Sequence, residues 1–334
     1  MFLNREKHPF YEHSTADFFI AKQDNCVVGR IAALENRRFN DYRGTKQAQF
    51  YLFECEDDQE VANALFTRVF EWAERRGLDT VVGPKGFSPF DGYGIQVEGF
   101  EHRQMMTMMN YNYEYYPRLV RNLGFEKKVD FVSCYISPPD YRLPDRVYRI
   151  IERVEQRGNL RVLPLRNKRD LRAWAPSIGA AYNKAFVNNW EYYPLTEREI
   201  DFVLETIMLV ANPRLLKLIL HESEVVGFLF AFPDISAALQ RAKGRLLPFG
   251  IFDMLLEMRR TKWVSLNGVG ILTKFQGQGG NALLYSEIEK TLQDFEFTHA
   301  DITQVAESAT QMRNDLENLG ARPYKNHRVY ARKV

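Results

Sequence analysis

Residues 269–285 of this chain read VGILTKFQGQGGNALLY and decide its fold. An apolar strand, predicted from Trp263 to Leu272, runs into a Gly/Gln loop, and an amphipathic helix is predicted to begin at about Asn281. Such a loop offers unpaired backbone N–H groups to an anion at the positive end of the helix. Its glycines let the backbone approach a ligand closely and adopt positive φ. The stretch therefore predicts an anion-binding loop between a strand and a helix.

The segment Gln276-Gly-Gln-Gly279 resembles the Arg/Gln-x-x-Gly-x-Gly/Ala pyrophosphate loop of the GNAT superfamily of acyl-CoA N-acyltransferases. This chain departs from that motif by having Asn281 at the last small position. The elements that follow come in the order of that superfamily: a helix, a strand predicted at 300–306, a short helix ending at Leu319-Gly320, and a strand predicted at 324–333. The resemblance covers roughly residues 160–334.

The resemblance implies an acyl-CoA, acetyl-CoA or another, as co-substrate, and no metal. It implies that the end of the strand binds the pantetheine arm through its backbone and that the loop binds the pyrophosphate. The cofactor-binding residues implied in this way are Val269, Gly270, Ile271, Gln276, Gly277, Gln278, Gly279, Gly280 and Asn281.

Composition narrows the class of protein. The length of 334 residues is typical of two domains, and 45% hydrophobic with 26% charged residues is typical of globular proteins. A net charge of +2 argues against a nucleic-acid partner bound through bulk charge. Three widely spaced cysteines form no disulfide framework and indicate a reducing compartment. Since no secretory segment and no run of about 18 apolar residues occurs, we expect a cytoplasmic protein without a membrane partner.

The sequence contains a weak internal repeat. The tripeptide Val-Val-Gly occurs at 27–29 and 225–227, and Asn-Leu-Gly occurs at 122–124 and 318–320. Because both repeats have nearly the same offset, we predict two tandem domains, residues 1–140 and 160–334, joined by a linker helix within 141–159. The predicted class is α/β, with two GNAT-like domains, each a mixed, mostly antiparallel sheet flanked by helices.

The first copy differs from the second at its strand–helix junction. This junction reads ECEDD at 54–58, without glycine and with four carboxylates. These side chains stabilise the N-terminus of the following helix, predicted at 59–76, but they would repel a pyrophosphate. We therefore interpret the first copy as degenerate, without an acyl-CoA site.

The candidates for catalysis are few. Many GNAT relatives carry an acid tyrosine where this chain has Leu316, and an asparagine where it has Ala309. We consider Glu307 as a general base, with a solvated surface glutamate as the alternative. Tyr324 and Tyr330 are considered as general acids, with packed tyrosines of a terminal strand as the alternative.

The candidates for substrate binding lie in the insertion of the second copy. This insertion contains the aromatic and acidic residues Trp190, Glu191, Tyr192 and Tyr193. They could hold an amine by cation–π and charge contacts. The alternative is a helix–helix turn packed on the core.

The predicted reaction is transfer of an acyl group, expected to be acetyl, from coenzyme A directly to a primary amine of a small molecule or peptide. Two other interpretations stay open: a non-catalytic acyl-CoA-binding or scaffold protein, and a protein similar to the tandem-GNAT aminoacyl transferases of cell-wall synthesis. The CoA-type loop argues against the last. The oligomeric state is left open.

Overall fold

The computed structural model describes residues 2–106 and 108–334. Within these residues twelve strands form one continuous sheet. The strands of the first half are β1 (Thr15–Gln23), β2 (Cys26–Glu35), β3 (Gln47–Cys55), β4 (Thr80–Gly83), β5 (Ile95–Glu98) and β6 (Glu126–Ile136). Those of the second half are β7 (Arg161–Leu163), β8 (Leu216–His221), β9 (Glu224–Pro233), β10 (Trp263–Ile271), β11 (His299–Ala306) and β12 (Arg322–Lys333).

Helices flank this sheet, which confirms the predicted α/β class. They are α1 (Arg37–Arg43), α2 (Gln59–Glu74), α3 (Tyr116–Asn122), the linker helix α4 (Asp145–Arg157), α5 (Lys168–Ala185), α6 (Glu197–Val210), α7 (Ser236–Arg241), α8 (Gly250–Arg260), α9 (Gly280–Asp294) and α10 (Thr310–Asn318). None of the helices in the described part of the chain is both long enough and apolar enough to cross a lipid bilayer.

Each half has its own hydrophobic core. In the first half the predicted stripe of α2, from Val61 to Trp72, is buried against β3 and α3. In the second half Leu283, Leu284, Ile288 and Leu292 of α9 are buried in a separate cluster. These stripes are the apolar faces that amphipathic helices present to a sheet.

The last strands of the two halves are exchanged. The strand order is β1-β2-β3-β4-β12-β6-β11-β10-β9-β8-β7. β12, the final strand of the chain, pairs with β4 of the first half, where Tyr330 faces Gly83. β6 pairs with β11 of the second half, where Ile136 faces Ala300. The two halves therefore share one sheet and cannot separate without breaking these ladders.

A partly buried ion pair stabilises the centre of this exchange. The Arg328 guanidinium of β12 donates hydrogen bonds to both carboxylate oxygens of Asp130 in β6, at 2.7 and 2.9 Å. Burial acts to raise the pKa of Asp130, but the hydrogen bonds from Arg328, Lys127 and Asn326 outweigh it and lower that pKa to about 2. The carboxylate therefore stays ionised between the two exchanged strands.

Candidate active site

The site begins where β10 and β11 part. Their parallel ladder runs from the pair Trp263–His299 to the pair Leu266–Ile302 and ends there, although both strands continue. Each strand has an irregularity at this point, since the register of β10 against β9 shifts after Leu266 and that of β11 against β6 shifts after Ile302. Within the described residues this ladder does not resume, so from Gly268 onward the edge of β10 that faces β11 can hydrogen-bond a ligand.

The loop after β10 has the conformation that its glycines permit. Gly277 has φ of 73° and Gly279 has φ of 88°, both in the left-handed region. Gly279 is the N-cap residue of α9, so this helix begins one residue before the sequence predicted, and no side chain caps it. The first amides of α9 are therefore available to an anion.

All nine predicted cofactor-binding residues line one cleft of about 730 Å³. Residues 269–271 and the loop form one wall, and the start of α10 forms the other. Asn281, the residue that departs from the motif, donates a hydrogen bond of 3.5 Å to Asp315 of α10 and so bridges the two walls. Among the described residues, no group of three or more His, Cys, Asp or Glu side chains is arranged to hold a metal ion.

The linker helix α4 forms a third wall that sequence reasoning missed. Arg146, Arg153 and Arg157 of α4 line the cleft together with the loop. Their spacing of seven and four residues places them on one face of a helix, and this periodicity was visible in the sequence. Guanidinium groups form strong charge-assisted hydrogen bonds with phosphate oxygens. The cleft therefore has a cationic wall beside the helix N-terminus.

A second, apolar cavity of about 360 Å³ adjoins the cleft. The two share wall residues, among them Val269, Tyr285 and Met312. Deeper in, the cavity is lined by apolar side chains of the sheet and of α9 and α10, including Phe131, Phe230, Ile288, Leu292, Ile302 and Leu316. It was not predicted, because these residues come from both halves of the chain and meet only in the folded sheet.

Tyr285 of α9 lies at the junction of the cleft and the apolar cavity. Its hydroxyl donates to the Met312 sulfur at 3.9 Å. Burial raises the pKa of Tyr285, and the nearby Asp315 carboxyl raises it further. The phenol at this junction therefore stays protonated at neutral and mildly alkaline pH.

The predicted catalytic residues, Glu307 and Tyr324, are not among the residues that line the cleft or the apolar cavity. Glu307 accepts hydrogen bonds from Lys127 Nζ at 2.7 Å and from the Asp130 amide at 3.1 Å, beside residues 308 and 309 that line the cleft. Tyr324 donates to the fully buried Asp301 at 2.8 Å, and burial together with that carboxyl raises the pKa of Tyr324. Asp301 lies near the start of β11, about 17 Å from Ala306 at roughly 3.3 Å per residue. Tyr324 thus lines neither the cleft nor the cavity.

The four predicted substrate residues are divided between two environments. Trp190, Glu191 and Tyr192 line the apolar cavity. Tyr193 is buried instead with Phe39 and Leu195 in a separate cluster, as the alternative of a packed turn implies.

The Glu191 carboxylate already has cationic partners from the first half. Lys85 Nζ lies 2.5 Å and Lys128 Nζ 2.7 Å from its oxygens. Burial opposes ionisation, but the attraction of these two ammonium groups outweighs it and lowers the pKa of Glu191. The charge of Glu191 is therefore balanced within the protein, and this contact joins the two halves beside the cavity.

The corresponding junction of the first half has no free helix N-terminus. Asp58 is the N-cap residue of α2, and its carboxylate accepts hydrogen bonds from the amides of Glu60 at 2.7 Å and Val61 at 3.4 Å. Asp57 forms an ion pair with Arg118. The amides that a phosphate would need are occupied by the protein's own carboxylate. This observation supports the interpretation of a degenerate first copy, which stays a prediction.

No family model matches this chain. Protein YghO of Escherichia coli (strain K12) is 23% identical over 345 residues, which cover 100% of this chain and 87% of that protein. The bacterial ceramide synthase of Caulobacter vibrioides (strain NA1000 / CB15N) is 27% identical over 337 residues, with 98% and 86% covered. Among solved structures, a tandem GNAT protein from the clavulanic acid biosynthesis pathway superposes with a TM-score of 0.53 at 10% identity, covering 96% of this chain and 83% of that one.

The chain has the tandem fold of the GNAT superfamily, with its two halves joined in one sheet.

Proposed function

We propose that this protein is an N-acyltransferase that transfers a long acyl chain from coenzyme A to a primary amine. The observation that carries this proposal is the apolar cavity of about 360 Å³ beside the cleft. At roughly 30 Å³ for a water-sized group, this volume holds a chain of about ten carbon atoms. An acetyl group would leave most of the cavity empty. The cavity thus favours a long chain over the acetyl group that the resemblance implied.

The geometry supports one path for the donor. The pyrophosphate would bind the amides at the start of α9, with Arg153 and Arg157 as further partners. The pantetheine would run along the edge of β10 at residues 269–271, which lines the cleft. The thioester would then lie near Val269 and Tyr285, where the cleft meets the cavity, and the acyl chain would enter the cavity.

The proposed chemistry is direct transfer. The amine nitrogen attacks the thioester carbonyl carbon, a C–N bond forms, and the C–S bond breaks to release the CoA thiolate. Tyr285 donates its proton to the thiolate sulfur and regains one from solvent, while the amine proton is lost to solvent. The products are an amide and the free thiol of CoA. Positioning of the two reactants supplies much of the rate.

One of the two relatives favours an acceptor with an apolar tail. The Caulobacter protein is named for the synthesis of ceramide, and a ceramide is an amide between a fatty acid and a long-chain amine. We therefore propose a long-chain primary amine as the acceptor of this chain.

A non-catalytic acyl-CoA-binding protein is the second candidate. It is favoured by Leu316, which is buried against Cys134 and Ala321 at the position where many relatives have a tyrosine acid. Such a protein would bind long-chain acyl-CoA without releasing free thiol, whatever amine is supplied.

The experiment measures the binding affinity of the protein for acetyl-, octanoyl- and palmitoyl-CoA and the release of free thiol from each. Because each buried methylene contributes about 0.8 kcal/mol, we expect affinity to rise at least tenfold from acetyl- to octanoyl-CoA. Free thiol should appear when a long-chain amine is added. Equal affinity for the three donors would contradict the assignment of the cavity, and binding without thiol release would favour the second candidate.

A substitution at Gly268 tests the role of the cavity separately from that of the cleft. Gly268 lines the cavity, and a Cβ added there would meet only Phe230, at 3.9 Å. Gly268→Leu should therefore fill part of the cavity without displacing backbone. We expect palmitoyl-CoA to lose at least tenfold in affinity and free CoA, which has no acyl chain in the cavity, to lose much less. An equal loss for both would show that the substitution disturbs the cleft instead.

A further inference from the structure

The insertion between β9 and β10, residues 234–262, carries α7 and α8 and is fixed at its base. Asp234 is fully buried, and Arg103 of the first half donates to it at 2.6 Å. The same carboxylate accepts the amide of Ser236 at 2.9 Å, at the start of α7. The insertion is therefore anchored to the body of the protein by charged and polar contacts.

One stripe of α8 packs on this base. Met254 is buried with Ile235 and Ala238, and Ile251 and Met258 pack partly against the same cluster. The spacing of 251, 254 and 258 is that of one helix face. The inner side of α8 is thus accounted for by packing within the chain.

A second apolar face of α8 and the turn before it points to solvent. We define the exposed face by five residues that share this property: Leu247, Phe249, Phe252, Leu255 and Leu256. Leu247 and Phe249 are each 79% exposed, and Phe252 is 68% exposed. Exposed apolar side chains grouped in this way mark interaction with a protein or a membrane.

Positive charge surrounds the exposed face. Lys243, Arg245, Arg259 and Arg260 are exposed, and none of them makes an ion pair within the residues that the structure describes. The acidic residues of α8, Asp253 and Glu257, are both paired with Arg241 of α7. The exposed face therefore has an apolar centre and a cationic rim.

We propose that the exposed face binds the surface of a lipid bilayer that contains anionic lipid. Phe249 and Phe252 would insert at the boundary of headgroups and acyl chains, and the basic rim would contact lipid phosphates. A second copy of this chain is the less favoured partner, because a symmetric contact through this face would bring the same cations together. This inference departs from the sequence-based expectation of no membrane partner, and it does not depend on the proposed reaction.

The test is sedimentation of the full chain with vesicles of phosphatidylcholine alone or mixed with phosphatidylglycerol. We expect binding to the mixed vesicles that weakens as salt is added. The double variant F249E/F252E should bind at least tenfold more weakly. Its matched control is I20E/V27E, because Ile20 and Val27 are exposed to similar extents, 59% and 58%, on β1 and β2. The control should bind as the unmodified protein does.

Two results would overturn the proposal. One is that the unmodified protein stays in the supernatant with anionic vesicles, and the other is that F249E/F252E binds like the control. Analytical ultracentrifugation of the same proteins tests whether the exposed face binds a second copy of this chain instead. A dimer that F249E/F252E abolishes, without binding of the unmodified protein to vesicles, would assign the exposed face to self-association.

Discussion

Gly279 of the loop packs against Val154 of the linker helix, and a Cβ built on Gly279 would lie 2.4 Å from Cγ2 of Val154. The Cβ position of Gly279 therefore faces α4, while its backbone remains at the cleft. Because φ at Gly279 is also positive, both packing and conformation require glycine here. The loop and the arginine-bearing helix are consequently held together as one unit.

Gly279→Ala should lower both stability and CoA affinity. The left-handed conformation alone costs a residue with a Cβ about 1–2 kcal/mol, and the contact with Val154 adds to this. Val154→Ala should relieve part of the contact, so the double variant should be less unstable than the sum of the two single variants by about 0.5 kcal/mol or more. Urea unfolding measures this coupling. Gly277→Ala is the control, since its φ is positive but nothing lies within 4 Å of its Cβ; additive effects would contradict the packing argument.

Gly277 offers a test of the pyrophosphate site. Asn and Asp tolerate the left-handed conformation about equally, so Gly277→Asn and Gly277→Asp differ mainly by one negative charge. Two like charges about 4 Å apart repel by roughly 1 kcal/mol in water and more near a protein surface. Calorimetry should therefore show CoA binding to the Asp variant about tenfold or more weakly than to the Asn variant. Identical affinities would place the pyrophosphate elsewhere.

Tyr285→Phe tests the proposed acid. If the phenol protonates the departing thiolate, kcat should fall by about 10²–10⁴-fold while the Kd of CoA stays the same. Tyr324→Phe, which removes a hydroxyl bonded to Asp301 outside the cleft, should lower stability and leave kcat nearly unchanged.

The pH profile provides an independent test of the same acid. Since the pKa of Tyr285 is raised, the unmodified enzyme should gain rate as the amine deprotonates and show no alkaline decline up to about pH 10. A loss of kcat in Y324F but not in Y285F would reverse the assignment.

Asp130→Asn tests the ion pair between the exchanged strands. The folded pKa of Asp130, about 2, lies below the ordinary value of 3.8. Its contribution to stability is therefore fully present above about pH 4 and is lost as pH falls toward 2. A shift of this size corresponds to about 2 kcal/mol. Denaturant unfolding should show that deficit at pH 7 and little difference near pH 2, and a pH-independent deficit would contradict the charge argument. Asp201→Asn, at an exposed position of α6, is the control.

The sequence by itself determined the parts that depend on short-range pattern. The strand, Gly/Gln loop and helix at 269–285 predicted the fold and the residues of the cleft through their resemblance to the GNAT pyrophosphate loop, because such a loop is encoded by residues adjacent in sequence. The apolar stripes of α2 and α9 could also be predicted from the sequence, because the helical period determines which side chains face the sheet.

The tertiary structure decided what depends on contacts between distant residues. Only the exchange of β6 and β12 brings Lys85 to Glu191 and Phe131 to Ile302, and so forms the apolar cavity from both halves. It also places Tyr285 at the mouth of the cavity and Tyr324 against Asp301, whereas the sequence had singled out Tyr324 and not Tyr285 as a candidate acid. The periodicity of the side chains predicts the face of the sheet or helix on which a residue lies. The residue that it contacts across that face depends on the order of the strands, which local sequence pattern does not encode.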